Sequence, residues 1–194
     1  MSNLDPLFMW PDILYHPNIP KPLHGLSPRV ILGQEWWDIQ RKKAYEKNNF
    51  CCWACGIHKT EANYYYWLEA HECYKIDYHK GVMEMKLITA LCHTCHNYIH
   101  NGRLMMQVNK GEASQNFYND VLEYGNSILS RRIDKTLPYE LIFLTFTLES
   151  LGSVTSKKQT SAKWENWRLI IGKKEFKPLH KSFEEWKEFY SGQE

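Results

Sequence analysis

Long apolar runs and an excess of charge are both missing from this 194-residue sequence. No apolar stretch approaches the ~20 residues of a membrane span. The first residues also lack the basic region and apolar run of a secretory signal. We therefore expect a soluble, cytoplasmic protein with no membrane partner. Lys and Arg number 24 against 22 for Asp and Glu, a net charge of +2, so a basic surface would require local clustering.

The cysteines are the most informative residues that are present. Four of the six form two Cys-x-x-Cys pairs, Cys52 with Cys55 and Cys92 with Cys95. This spacing, with histidines between the pairs and no secretory segment, favours a metal site over a disulfide framework. Two thiolates on one tight turn can bind one ion, and two such pairs complete the tetrahedral geometry of structural Zn²⁺. The 36-residue gap exceeds zinc-ribbon spacing, so it must contain structure of its own.

Histidines accompany both pairs. His71 lies in the gap, and His96 and His100 follow the second pair directly. Residues four apart share one face of a helix. The pattern therefore predicts a second metal site beside the first, with an open coordination position.

These motifs resemble the zinc-containing HNH endonucleases over residues 52–103, about a quarter of the chain. The resemblance rests on three segments: Cys52-x-x-Cys55-Gly56, Leu68-Glu69-Ala70-His71-Glu72 and Leu91-Cys92-x-x-Cys95-His96-x-x-x-His100. It implies a zinc-stapled ββα-metal core and hydrolysis of DNA phosphodiesters. In such a centre one divalent ion, Mg²⁺, Mn²⁺ or Ni²⁺, binds the scissile phosphate and a general base activates water. A bacterial or phage origin is compatible with it.

The resemblance implies that His96 and His100 are ligands of this ion, while His71 takes the position of a ligand or of the base. If His71 is a ligand, Glu72 occupies the base position, and a carboxylate can serve there. If His71 is the base, Ala70 precedes it and cannot bind metal. The predicted catalytic set is therefore His71, Glu72 and His96. No asparagine lies between Cys73 and Cys92, where the family has one.

Two functions follow from these motifs. The first is a metal-dependent DNA endonuclease. The alternative is a catalytically degenerate HNH-like zinc module that binds a protein or nucleic acid without cutting, and eight Trp and twelve Tyr could anchor such a partner. Four cations are candidate phosphate contacts, although such residues also form ordinary solvated faces: Arg41, Lys42, Lys43 and Arg103.

Other titratable residues near the motifs carry no metal-binding pattern. His58, His79 and His93 fall outside ligand spacing, and we expect them to have surface or packing roles. The remaining three histidines, His16, His24 and His180, lie in proline-rich or loop segments and carry no motif. Glu69 is expected to form a salt bridge or to be solvated.

The periodicity of the chain predicts an α+β fold in three parts. Six of the eight prolines fall in residues 1–30, which predicts an extended arm on the surface. The zinc-stapled core, 31–110, contains a helix over 33–48, strands over 64–72, 74–78 and 82–91, and a helix over 93–101. Residues 111–194 are expected to pack on the core, with helices over 114–132 and 139–151, a loop over 152–163, a hairpin over 168–177 and a final helix over 182–190.

Overall fold

The structure, a computed structural model, describes residues 5–131 and 162–191. The predicted helix over 139–151 and nearly all of the predicted loop over 152–163 lie outside these residues. The helices and strands are α1 (Pro28–Leu32), α2 (Gln34–Glu46), β1 (Glu69–Asp77), β2 (Val82–Leu91), α3 (His93–Ile99), α4 (Asn101–Asn109), α5 (Gln115–Ser130), β3 (Arg168–Ile171), β4 (Lys174–Phe176) and α6 (Phe183–Ser191).

The predicted α+β class is confirmed for the described residues, which form six α-helices and one four-stranded sheet. The strand order is β1-β2-β3-β4. β3 runs parallel to β2, with Val82 opposite Arg168, and antiparallel to β4, with Leu169 opposite Phe176. Within the described segments, no helix has the length and apolar character that crossing a bilayer requires.

The chain divides into two compact units, to which β1 and β2 both contribute residues. The described residues of the first unit are 5–16, 40–71 and 88–131, and those of the second are 17–39, 72–87 and 162–191. The second unit has an apolar core built from alternate positions of its strands, because side chains two apart share a face of a sheet, together with leucines of the segment before α1. Its buried members are Leu23, Leu26, Tyr74, Ile76, Met83, Trp167, Leu169 and Ile171.

A capping box begins α6, as the sequence predicts. The Ser182 hydroxyl accepts a hydrogen bond from the Glu185 N–H at 3.3 Å. The Glu185 carboxylate in turn accepts one from the Lys181 N–H at 2.7 Å. The first bond satisfies a backbone donor of the first helical turn, and the second satisfies the donor just before the N-cap residue.

The proline-rich N-terminal part differs from the predicted extended surface arm. Residues 11–15 form a 3₁₀ turn, and Phe8, Trp10 and Ile13 are at most 2% exposed. The backbone of Phe8 is held by the buried side chain of Asn48, which accepts its N–H at 3.0 Å and donates to its carbonyl at 3.0 Å. The apolar residues between the prolines are numerous enough to be drawn into the core of the first unit.

Two predicted element boundaries are also wrong. β1 is one strand from Glu69 to Asp77, whereas the sequence predicted a first strand from 64 and a break at Cys73. Cys73 is buried and lies within this strand. The helix after Cys92 ends at Ile99, and α4 then begins at Asn101, so Gly102 lies inside a helix rather than ending one.

Candidate metal centres

The four motif cysteines lie together, as their spacing predicts. Their sulfurs are within 4.8 Å of one another, and the cluster could hold a zinc ion. Cys52, Cys92 and Cys95 are buried, and Cys55 is partly exposed. None of the six cysteines, all of which are in the described segments, forms a disulfide. Four sulfurs at this separation are the donor set of a closed structural zinc site.

Two tight backbone turns bring the pairs together. The N–H of Gly56 donates to the Cys52 carbonyl at 2.9 Å, which closes the first turn. Gly56 has a φ of +77°, and a Cβ there would lie 2.6 Å from the Met9 sulfur. Only glycine fits both the left-handed backbone and the close packing. On the second pair, the His96 N–H donates to the Cys92 carbonyl at 2.9 Å and begins α3.

The cysteines differ in acidity. Hydrogen bonds from the other three thiols hold the pKa of Cys55 well below its usual value. Burial raises the pKa of Cys52 well above its usual value. The hydroxyl of Tyr124 also hydrogen-bonds to Cys55, and burial together with the Cys55 charge raises the pKa of Tyr124. The Tyr124 hydroxyl therefore lies against the cysteine cluster, on the side of Cys55.

A second cluster, the histidine triad, consists of His71, His96 and His100. One ligand atom of each lies within 4.8 Å of the others. The ring centroids are 5.6 Å apart for His71 and His96, 5.1 Å for His71 and His100, and 4.7 Å for His96 and His100. The structure thus brings together the three residues that the sequence predicts as ligands of a divalent ion.

His71 supplies the test of whether the triad fits a metal. It is 4% exposed, and neither of its ring nitrogens makes a hydrogen bond to any described group. A buried polar atom with no partner destabilises a fold. An ion held by the triad would satisfy one of these nitrogens, so the residues fit a metal site.

The protonation of the triad also suits metal binding. Burial, and then the charges of His16, His96 and His100, place the pKa of His71 well below its usual value. Burial, followed by the charges of His96 and Arg103, lowers the pKa of His100 to about 4. Both imidazoles are therefore neutral near pH 7, which is the form that binds metal.

Glu69 links the triad to His93. Its carboxylate oxygens lie 2.5 Å from Nδ1 of His93 and 2.5 Å from Nδ1 of His96. Both contacts have the distance of an ion pair. Burial alone would raise the pKa of Glu69, but the two histidines outweigh it and lower the pKa to about 2. The expected salt bridge is confirmed, and it leaves Nε2 of His96 available as a ligand atom.

The structure places Glu72 away from the face of His71. Neighbouring residues of a strand point to opposite faces, and Glu72 lies beside Tyr74, whose pKa is raised by burial and by the Glu72 charge. Glu72 does not belong to the triad. Its role as a base stays a prediction.

His16 is the residue at this site that the sequence analysis missed. It is 9% exposed, and its ring centroid lies 5.0 Å from that of His71, with the rings nearly perpendicular. The two residues are far apart in sequence, and His16 belongs to no motif. No signal in the sequence could have found it, because the contact depends on the fold of the N-terminal segment.

The predicted phosphate contacts are spread over the first unit. Lys42, Lys43 and Arg103 are exposed, and Arg41 is partly buried. The charge of Arg103 helps to lower the pKa of His100, which places it near the triad. The contact of these four cations with nucleic acid stays a prediction.

The packing role expected for His58 is confirmed, since it is 8% exposed and its Nδ1 lies 2.8 Å from the Thr60 hydroxyl.

Comparison of this chain with protein-family models, with curated proteins and with solved structures found no match in any of the three.

Proposed function

We propose that the protein is an HNH-type, metal-dependent DNA endonuclease whose divalent ion is held by the histidine triad. The observation that carries the proposal is His71, which is buried beside His96 and His100 with both ring nitrogens lacking a hydrogen bond. The cysteine cluster supports it, because His96 directly follows Cys95 and the zinc staple would fix the start of α3.

The donor set favours one class of ion. Three imidazole nitrogens suit Zn²⁺ or Ni²⁺, whereas Mg²⁺ and Mn²⁺ prefer oxygen ligands. When bound, such an ion would supply Lewis-acid stabilisation of the phosphate and of the leaving oxygen. The chain contributes the orientation of His96 through Glu69, and burial of His71 keeps that ligand neutral.

The proton acceptor for the attacking water has two candidates. Glu72 is the one that the HNH resemblance implies, and His16 is the one that its contact with His71 suggests. If His71 binds the ion, it cannot also accept the proton. The variants Glu72→Gln and His16→Gln separate the candidates, because only loss of the true acceptor should slow cleavage at saturating metal.

The test is the nicking of supercoiled plasmid by the purified chain with Mn²⁺, Ni²⁺, Zn²⁺ or Mg²⁺. We expect cutting with Ni²⁺ or Zn²⁺, and a loss of about 100-fold or more in His96→Ala, since the ion should bind weakly without that ligand. His79→Ala is the matched control, because His79 is exposed on a turn outside the triad. A folded protein that cuts with none of the four ions would refute the proposal.

The alternative is a degenerate HNH-like zinc module that binds a partner without cutting. The observation that favours it is the position of Glu72 on the strand face opposite to His71. A metal titration distinguishes the two functions. One tightly bound zinc per chain, with no second site for Mn²⁺ or Ni²⁺, would support the alternative.

A further inference from the structure

We propose that an exposed aromatic loop, residues 64–67, and the groove beside it bind single-stranded DNA by base stacking. This inference deepens the proposed nuclease function by naming its substrate class, and it rests on that function for its biological purpose. The binding itself can be measured without any cleavage.

All four side chains of the loop are aromatic and exposed, and Tyr64 at its start is 52% exposed. Tyr65, Tyr66 and Trp67 are 40%, 76% and 52% exposed. The rings of Tyr65 and Trp67 stack on each other, with centroids 4.2 Å apart and planes 20° apart. Stacking of bases on exposed aromatic rings is the main sequence-independent contact of proteins that bind single strands.

Tyr64 fixes the base of this loop. Its φ of +73° is strained for a bulky residue. Its hydroxyl donates to Asp120 of α5 at 3.0 Å, and its ring lies 4.8 Å from that of Phe117. These contacts hold Tyr64 against the helix while the three following rings face outward. The loop is therefore organised before a ligand arrives, which lowers the entropy lost on binding.

The adjoining groove has the charge that a phosphate backbone requires. Its volume is about 380 Å³, and its lining includes Arg41, Lys59, Tyr66 and Trp67. None of the described residues that line it is acidic. The Lys59 ammonium lies 4.3 Å from the centroid of Phe50, which is also in the lining. Cations interleaved with aromatic rings match alternating phosphates and bases.

A short series of contacts connects this surface to the triad. The ring of Tyr65 lies 4.5 Å from that of His93, and His93 contacts Glu69, which in turn contacts His96. A strand stacked on the loop would therefore run beside the histidines. Bases in a duplex are stacked within the helix and are not free to lie on these rings, so the surface selects unpaired strands.

The test is fluorescence anisotropy of a labelled oligothymidine of about 15 nucleotides, with the zinc-loaded chain of 194 residues and no added divalent ion. We expect Tyr66→Ala and Trp67→Ala each to weaken binding about 10-fold, since each removes one stacking ring. The matched control is Phe189→Ala, an aromatic that is 51% exposed in the second unit. Arg41→Gln should reduce the slope of log Kd against log salt by about 0.7, the value for one phosphate contact to a single strand.

Three results would overturn the proposal. In the first, both ring variants bind the oligothymidine as tightly as the parent protein does. In the others, the parent binds a DNA duplex of equal length as tightly as the single strand, or binds an RNA of matching sequence more tightly than the DNA. Circular dichroism of each variant shows whether the fold is retained. Ring-dependent binding without cleavage under any ion would keep this inference and reject the nuclease. Cleavage of DNA, with binding unaffected by the ring variants, would keep the nuclease and reject this inference.

Discussion

Replacing Glu69 by Gln should weaken metal binding at the histidine triad by about 10- to 100-fold while leaving the cysteine cluster intact. The carboxylate lies 2.5 Å from a ring nitrogen of His93 and 2.5 Å from one of His96, and its side chain is only 25% exposed. Glutamine has nearly the same shape and can still accept one hydrogen bond, but it has no charge. The variant therefore isolates the electrostatic part of the contact.

The magnitude follows from the role of Glu69 behind a ligand. Loss of an outer carboxylate that orients a metal-binding histidine reduces affinity about 10- to 100-fold, which corresponds to about 1.4–2.7 kcal/mol. Because the pKa of Glu69 is lowered to about 2, the carboxylate is ionised in both the folded and unfolded chain above about pH 5. At a given pH in this range, the variant therefore removes one full negative charge from beside His96.

The measurement is competition for Ni²⁺ between the protein, with zinc already in its cysteine cluster, and a chromophoric chelator. Glu72→Gln is the matched control, being the same substitution on the opposite face of β1, and its affinity should equal that of the parent. Unchanged affinity in Glu69→Gln would refute our account of the site. An equal loss of Ni²⁺ affinity in Glu72→Gln would show that Glu72 also supports the metal site.

Three further predictions concern stability. Asn48→Ala should lower the free energy of unfolding by about 3 kcal/mol in urea denaturation, because the backbone groups that now hydrogen-bond to the Asn48 side chain would be left without partners. A loss below about 0.5 kcal/mol would contradict this. Gly125→Ala should destabilise the protein by about 1–3 kcal/mol, because a Cβ there would overlap the ring of Tyr98. Replacing a glycine inside a helix by alanine usually stabilises a protein instead. A raised melting temperature would show that the Tyr98 ring moves freely. His24 donates to the Ile19 carbonyl and accepts from the Trp186 indole, and burial lowers its pKa. As the pH falls, the His24 imidazole is therefore protonated more readily in the unfolded chain than in the folded protein. The free energy of unfolding should fall as the pH drops below about 6.5. His24→Gln should remove part of that pH dependence, and an unchanged urea midpoint profile would refute the assignment.

The parts of the site that the sequence predicts are those set by local spacing. Two cysteines three positions apart can share one ion wherever the turn lies, so the cysteine cluster could be predicted without the fold. His96 and His100 meet because a helix repeats every 3.6 residues. The start of α6 is equally local, since Ser182 and Glu185 carry their own hydrogen-bond partners.

The remaining features depend on contacts between distant segments. Nothing in 168–171 indicates that this strand pairs in parallel with β2, because either strand could pair with several others. His16 approaches His71 only because the N-terminal segment is drawn into the core. The sequence allowed Glu69 to be either paired or solvated, and the choice required knowing that β1 passes beside the first turn of α3.

The two cysteine pairs also have a consequence for how fast the first unit can form. An ion that joins Cys55 to Cys92 closes a loop of 36 residues, and the chain entropy it removes from the unfolded state is worth about 4 kcal/mol at 25 °C in the usual cross-link model. That closure must be repeated whenever the ion is lost. Refolding after chelation should therefore accelerate with zinc concentration, whereas the short turns at each pair can form before any metal binds.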